Sequence, residues 1–186
     1  MSMPASISIT SSHTEKIKWF RGHFRPHFDG WILHPIYRLV PSQDALIGFI
    51  FIACAIDYLA GFWWGKQPDI RKGEIKQMYT GFIDGYFAPG RYDAEGLYDS
   101  LRNGLVHMFT IKKKKYALIH DHPEMHLKTN PVSGYIVLNA ENFRDDFVSA
   151  KEQYFDDVEA TPDLLDRLVD RYTRDGFLSS VDLEVA

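Results

Sequence analysis

The sequence predicts a mainly helical domain of five to six helices with one small, late β-hairpin. Three observations carry this. Apolar residues recur at three- and four-residue intervals along most of the chain, the spacing of one helix face. Start and stop signals stand between these stretches: Ser, Thr or Asp before an apolar run, Gly or Pro after it. Only two short runs, both late, favour strands. The 186 residues fit one domain, and 45% hydrophobic content with 15% aromatics can fill a large core. Residues 1–12 and 178–186 read as loose tails.

Thr14 to Val40 carries Trp19, Phe20, Phe24, Phe28, Trp31, Ile32, Ile36 and Tyr37 at helical spacing. Pro26 and Pro35 should break or kink this helix into two pieces. Ser42 or Asp44 caps a second helix, which Gly65 and Pro68 stop. Asp69 can cap the third, whose stripe is Ile75, Met78, Tyr79, Phe82, Ile83 and Tyr86; Ala88-Pro89-Gly90 ends it. Asp93 caps a fourth, with Leu97, Leu101, Leu105 and Met108 on its buried face. The run from Lys112 to Lys115 suits that helix's C-terminal dipole. Tyr116–Ile119 and Gly134–Leu138 then read as the two strands of a hairpin over 116–138, joined by a long loop. After Asn139 a helix resumes through Phe143, Phe147, Tyr154 and Phe155. Thr161-Pro162 starts the last one, with Thr161 as cap. Leu164, Leu165, Leu168, Val169 and Tyr172 form its buried face, and Asp175-Gly176 ends it.

The net charge of −4 means that the chain as a whole does not attract nucleic acid, so RNA contact needs a local basic patch. Cys54 is the single cysteine. It forms no internal disulfide, which points to a reducing, cytoplasmic setting, and inside an apolar run it reads as a buried structural thiol. Ala45 to Trp64 is long enough to span a bilayer. Asp57 in mid-run, with Gly48 and Gly61, argues against that and for a central helix buried on all sides. No membrane partner is expected.

The fourth helix holds the chemically suggestive residues. Asp99, Asn103 and His107 are four apart and line one side of an α-helix, and the long side chain of Arg102 reaches the same surface. Gly104 is unusual in mid-helix; it admits a second backbone or a phosphate, or simply permits tight packing. This set suits metal-independent RNA cleavage, in which a ribose 2′-hydroxyl attacks the adjacent phosphorus. Histidine supplies a base near neutral pKa. A guanidinium fork stabilises the charge gathering on the phosphorane oxygens. One histidine supplies one acid–base group, so a two-fold dimer would complete the pair.

Arg102-Asn103 followed by His107 near the end of a helix resembles the HEPN superfamily, and the likeness covers 42 to about 111. It implies an up-and-down bundle, dimerisation through the motif helices and a composite active site. It also implies a metal-independent endoribonuclease without a cofactor, of the toxin or defence-effector kind. The family's acidic residue in a neighbouring helix falls on Asp57, with Arg102 as its expected partner; a buried Tyr or backbone group is the alternative. Some HEPN toxins carry a Tyr two residues after the His, where a partner enzyme silences them; here Phe109 stands there.

Other signals compete. His120, His122 and His126, with Asp121 and Glu124 among them, could hold a divalent metal, contact substrate or form a plain loop. A metal there would make a metal-dependent hydrolase the rival enzyme. Lys112, Lys113, Lys114 and Lys115 form a possible phosphate track, and Tyr116 could stack on a base. A HEPN-like bundle could instead be a non-catalytic module: an antitoxin partner, a nucleotide-responsive subunit or a scaffold.

Overall fold

Residues 7–42, 44–111 and 115–176 are described by a computed structural model; they form six helices and a two-stranded sheet. Helix α1 (13–39) opens with a reciprocal cap in which Ser12 Oγ accepts from the Glu15 N–H and Glu15 Oε2 accepts from the Ser12 N–H. The expected tail is shorter than 1–12, because Ser8 to Ser11 close a turn and Ile7 packs on the core. Residues 1–6 and 177–186 lie outside the described residues.

The prolines do not split α1. The helix is α-helical at His13–Trp19, Arg25–Phe28 and His34–Leu39, and widens to π-helical turns at Phe20–Phe24 and Asp29–Leu33. There the Arg25 and His34 N–H groups donate five residues back, to Phe20 and Asp29. A proline ring strikes the carbonyl four residues before it. Those carbonyls, of Gly22 and Trp31, lie in the two widened turns. The widening also keeps the core face straight. A regular α-helix drifts by about 40° every four residues. Phe20, Phe24, Phe28, Ile32, Ile36 and Val40 are spaced strictly by four, yet all are buried.

Helix α2 (Ala45–Trp64) is central and packs against every other helix. Gly48 lets it approach the end of α1, since a Cβ there would lie 2.9 Å from Val40 Cγ2. Asp44 occupies the cap position without a side-chain bond, while Ser42 Oγ accepts from its N–H. By length and composition α2 could cross a membrane, but 61% of its most apolar stretch is buried by the bundle. Full burial is not observed. Leu46, Ile47, Phe51 and Cys54 form an exposed stripe, so Cys54 is a surface thiol rather than a buried one. Too few helices surround α2 to cover its whole girdle.

Helix α3 (Glu74–Tyr86) buries its expected stripe except for half-exposed Ile75. Asp69 caps the short turn Ile70–Lys72 before it, not α3 itself. Helix α4 spans 94–108 and is capped by Asp93, which accepts from the Gly96 N–H. Helices α5 (Ala140–Ala160) and α6 (Pro162–Asp175) follow the sheet, and Thr161 holds the α6 cap position without a side-chain bond. Lys151, fully buried on α5, pairs with Asp29 at 2.9 Å, and Lys16 pairs with Asp166 at 2.8 Å, tying α1 to α5 and α6.

Strands β1 (Tyr116–Ile119) and β2 (Ile136–Asn139) are parallel, not a hairpin. The connection over 120–135 is long enough for the crossover that parallel pairing requires. The antiparallel partner of β2 is residues 127–130, reached through a turn in which Asn130 Oδ1 accepts from the Val132 and Ser133 N–H groups. Asn139 ends β2 and caps α5, accepting from Glu141 and Asn142.

Candidate functional site

Helix α4 is widened over Tyr98–Leu105 and ends in a short α-helical turn, Val106–Met108. This changes which residues meet. In an α-helix, positions five apart stand about 140° apart around the axis; i→i+5 bonding brings them together. Arg102 and His107 are five apart, and Arg102 Nη1 lies 3.0 Å from His107 Nε2. A guanidinium only donates, so Nε2 is the acceptor and the neutral ring carries its proton on Nδ1. The same Nη1 donates to Asn103 Oδ1 at 3.2 Å, and Nη2 donates to Asp57 Oδ2 on α2 at 3.3 Å. The guanidinium also lies 5.7 Å from the Tyr98 ring centroid.

Asp57, Arg102, Asn103 and His107 therefore converge, with Arg102 as the hub. The expected Arg102–Asp57 pair is present. His107 is exposed, whereas the Arg102 side chain is 19% exposed. Asp57 Oδ1 is buried without a hydrogen-bond partner among the described residues. Asp99 sits half-buried near the start of the widened stretch. Leu97, Leu101 and Leu105 are buried as expected. Met108 is not: α4 stops there, Phe109 turns the chain at φ 51°, and both side chains are exposed beyond the packed face. Gly104 is buried, and its carbonyl accepts from Thr110. Beside Asp57, partial desolvation pushes the exposed Cys54 thiol up, the carboxylate pushes it further, and Arg102 only partly opposes this. Such a thiol is a poor nucleophile.

Of the expected phosphate track, Lys115 and Tyr116 fall among the described residues. Lys112, Lys113 and Lys114 lie outside the described residues. Lys115 pairs with Asp93. Tyr116 is buried in the core and its phenol is pushed up to about 12 by that burial, so it offers no ring to a base. The histidine cluster disperses as well. His120 and His122 are exposed, and His122 faces Asp121 and Glu124. His126 is buried. Among the described residues no group of three or more His, Cys, Asp or Glu is arranged to hold a metal. The short 3-10 turn Pro123–Met125 between these residues sends His122 and His126 to different surroundings.

One polar cluster gave no sequence motif. His126 Nδ1 accepts from the Asn139 N–H at 3.1 Å, and its Nε2 lies 3.0 Å from Tyr92 Oη. Tyr92 donates to Asp146 at 2.5 Å, and Arg91 Nε donates to the same oxygen at 2.7 Å. Burial pushes the Asp146 carboxyl up, but the bonds from His126, Tyr92 and Arg91 outweigh it and hold the group below its ordinary value. Only the proximity of His126 to the loop histidines hinted at this cluster.

Compared with family models, curated proteins and solved structures, the chain matches none.

Proposed function

We propose that the chain is a metal-independent endoribonuclease of the HEPN type, working as a homodimer on RNA in the cytoplasm as a toxin or defence effector. One observation carries the reading: Arg102 simultaneously holds Asp57, Asn103 and the Nε2 of an exposed His107. A substrate phosphate takes over the Arg102 N–H that His107 now accepts, which frees Nε2 as a base. Nε2 removes the 2′-hydroxyl proton, the 2′-oxygen bonds to phosphorus, and the phosphorus–5′-oxygen bond breaks. The leaving oxygen takes a proton from an imidazolium, which the partner subunit's motif helix supplies. Asp57 anchors the guanidinium where charge develops on the phosphorane. The exposed apolar stripe of Ile47 and Phe51 on α2, with Met108 and Phe109 ending α4, supports self-association beside the site.

A second reading, a non-catalytic HEPN-like module that binds an antitoxin or regulatory protein, is favoured by one feature: Arg102 is largely buried and already ion-paired. Incubation of mixed RNA with the dimer in excess EDTA separates the two. The nuclease reading expects cleavage that chelation spares and that both His107→Ala and Arg102→Ala abolish. Intact RNA after exposure to folded, dimeric protein supports the binding module.

A further inference from the structure

The two widened turns of α1 align its outer face as well as its core face. Phe28, Ile32, Ile36 and Val40 are buried at four-residue spacing, so Gly30, His34 and Arg38 form the opposite row, and all three are exposed. Trp31 and Tyr37 flank that row, 48% and 43% exposed. Each ring is backed on one side. The His27 ring stacks on the Trp31 indole, with centroids 5.9 Å apart and planes tilted by 21°, and the Arg144 guanidinium lies 5.3 Å from the Tyr37 ring centroid. His34 is three residues from both rings and four from Arg38, spacings that make neighbours on a helix surface. The side chains of His34 and Arg38 have no hydrogen-bond or ion-pair partner among the described residues.

Two exposed rings with uncommitted N–H donors beside them fit a single nucleic-acid strand. An unpaired base stacks on an aromatic face whatever its identity, whereas a duplex keeps its base faces covered. Trp31 and Tyr37 are separated by about 9 Å along the axis, so one short strand can reach both. His34 and Arg38 can donate to the phosphate oxygens that join the bases. The charge agrees. The nearby carboxylates Asp29 and Asp145 are paired with Lys151 at 2.9 Å and Arg144 at 2.8 Å, so they do not oppose a phosphate. A lipid surface asks instead for a broad apolar face. Among the described residues Trp31 and Tyr37 are the only exposed large hydrophobic side chains on α1.

We propose that this outer face of α1 binds two neighbouring bases of single-stranded RNA, one on Trp31 and one on Tyr37, with His34 and Arg38 on the phosphate between them. The proposal takes RNA as the ligand from the nuclease reading but does not need Arg102 to cut it. Its test is fluorescence anisotropy of the full chain with a short labelled 2′-O-methyl RNA strand, which lacks the attacking hydroxyl and stays intact. Trp31→Ala and Tyr37→Ala should each weaken binding about five- to a hundredfold. A duplex of the same length and chemistry should bind more weakly than the single strand. Arg38→Glu, at an exposed position, should weaken binding too and serves if an aromatic variant does not fold. Unchanged affinity in the folded variants, or a duplex that binds as tightly as the single strand, overturns the proposal. So does binding of phosphatidylserine vesicles that Trp31→Ala abolishes, or self-association that Trp31→Ala abolishes in sedimentation, since either gives the face to another partner. Cleavage of unmodified RNA is scored separately. Cleavage by a chain whose RNA binding ignores these variants rejects the surface and leaves the nuclease reading standing; binding that depends on Trp31 and Tyr37 without cleavage supports the surface and rejects the nuclease.

Discussion

His107 and His126 sit in clusters built from the same parts, an arginine, an aspartate and a hydrogen-bonding neighbour, yet the two clusters suit different work. The His126 side chain is 4% exposed, accepts a backbone N–H on one ring nitrogen and meets Tyr92 on the other. Every site on the ring is used, and the network pins the 120–126 loop to the start of α5. His107 is exposed, and its one hydrogen bond among the described residues comes from a guanidinium that an arriving phosphate can claim. Residue type does not separate a staple from a site here. Exposure and uncommitted hydrogen-bonding capacity do.

The largest expected effect sharpens this contrast. His107→Ala or Arg102→Ala should lower cleavage by about 10²–10⁴-fold, the range for removing a general base or a charge-stabilising donor. His126→Ala should leave the rate per folded molecule unchanged, as single-turnover RNA cleavage would show. Equal losses in all three variants would erase the distinction. A smaller effect is expected for Asp57→Asn, which keeps the shape but removes the charge that anchors Arg102. Loss of a charge-assisted bond is worth about 1.5–3 kcal/mol, so cleavage should fall roughly ten- to a hundredfold.

His126→Ala should act on stability instead. It strands the Asn139 N–H and costs about 1–3 kcal/mol in urea unfolding. The same network makes stability depend on acid. Asp146 titrates lower in the folded chain than in the unfolded one, so the unfolded chain takes up its proton first. This contribution is complete above the ordinary carboxylate value of about 4 and disappears as pH falls through the lower folded value. Urea midpoints between pH 7 and pH 3 should show the decline, and Asp146→Asn should flatten it.

Much of the helical framework was legible. The stripe of Met78, Tyr79, Phe82 and Ile83, the Asp93 cap and the Gly65 stop are local signals that the bundle uses as written. The Asp57–Arg102 contact was legible too, because a carboxylate in an apolar helix needs a partner. The widened turns were not read, although the four-residue repeat from Phe20 to Val40 marks two of them. That omission hid the direct Arg102–His107 bond behind an expected line through Asp99, Asn103 and His107. The parallel pairing of β1 with β2 depends on the long crossover between them, and no local residue preference records it. Exposed Cys54 and buried Tyr116 likewise reflect which neighbours arrive in three dimensions, not which residues flank them.

The chemistry assigned to Arg102 and His107 is tested most directly by the ends of the RNA fragments produced in EDTA, read by mass spectrometry. Attack by the 2′-oxygen leaves a 2′,3′-cyclic phosphate on one fragment and a 5′-hydroxyl on the other, and the account predicts both ends, absent with His107→Ala. Fragments bearing 3′-hydroxyl and 5′-phosphate ends, or RNA left intact by the folded dimer, would contradict it.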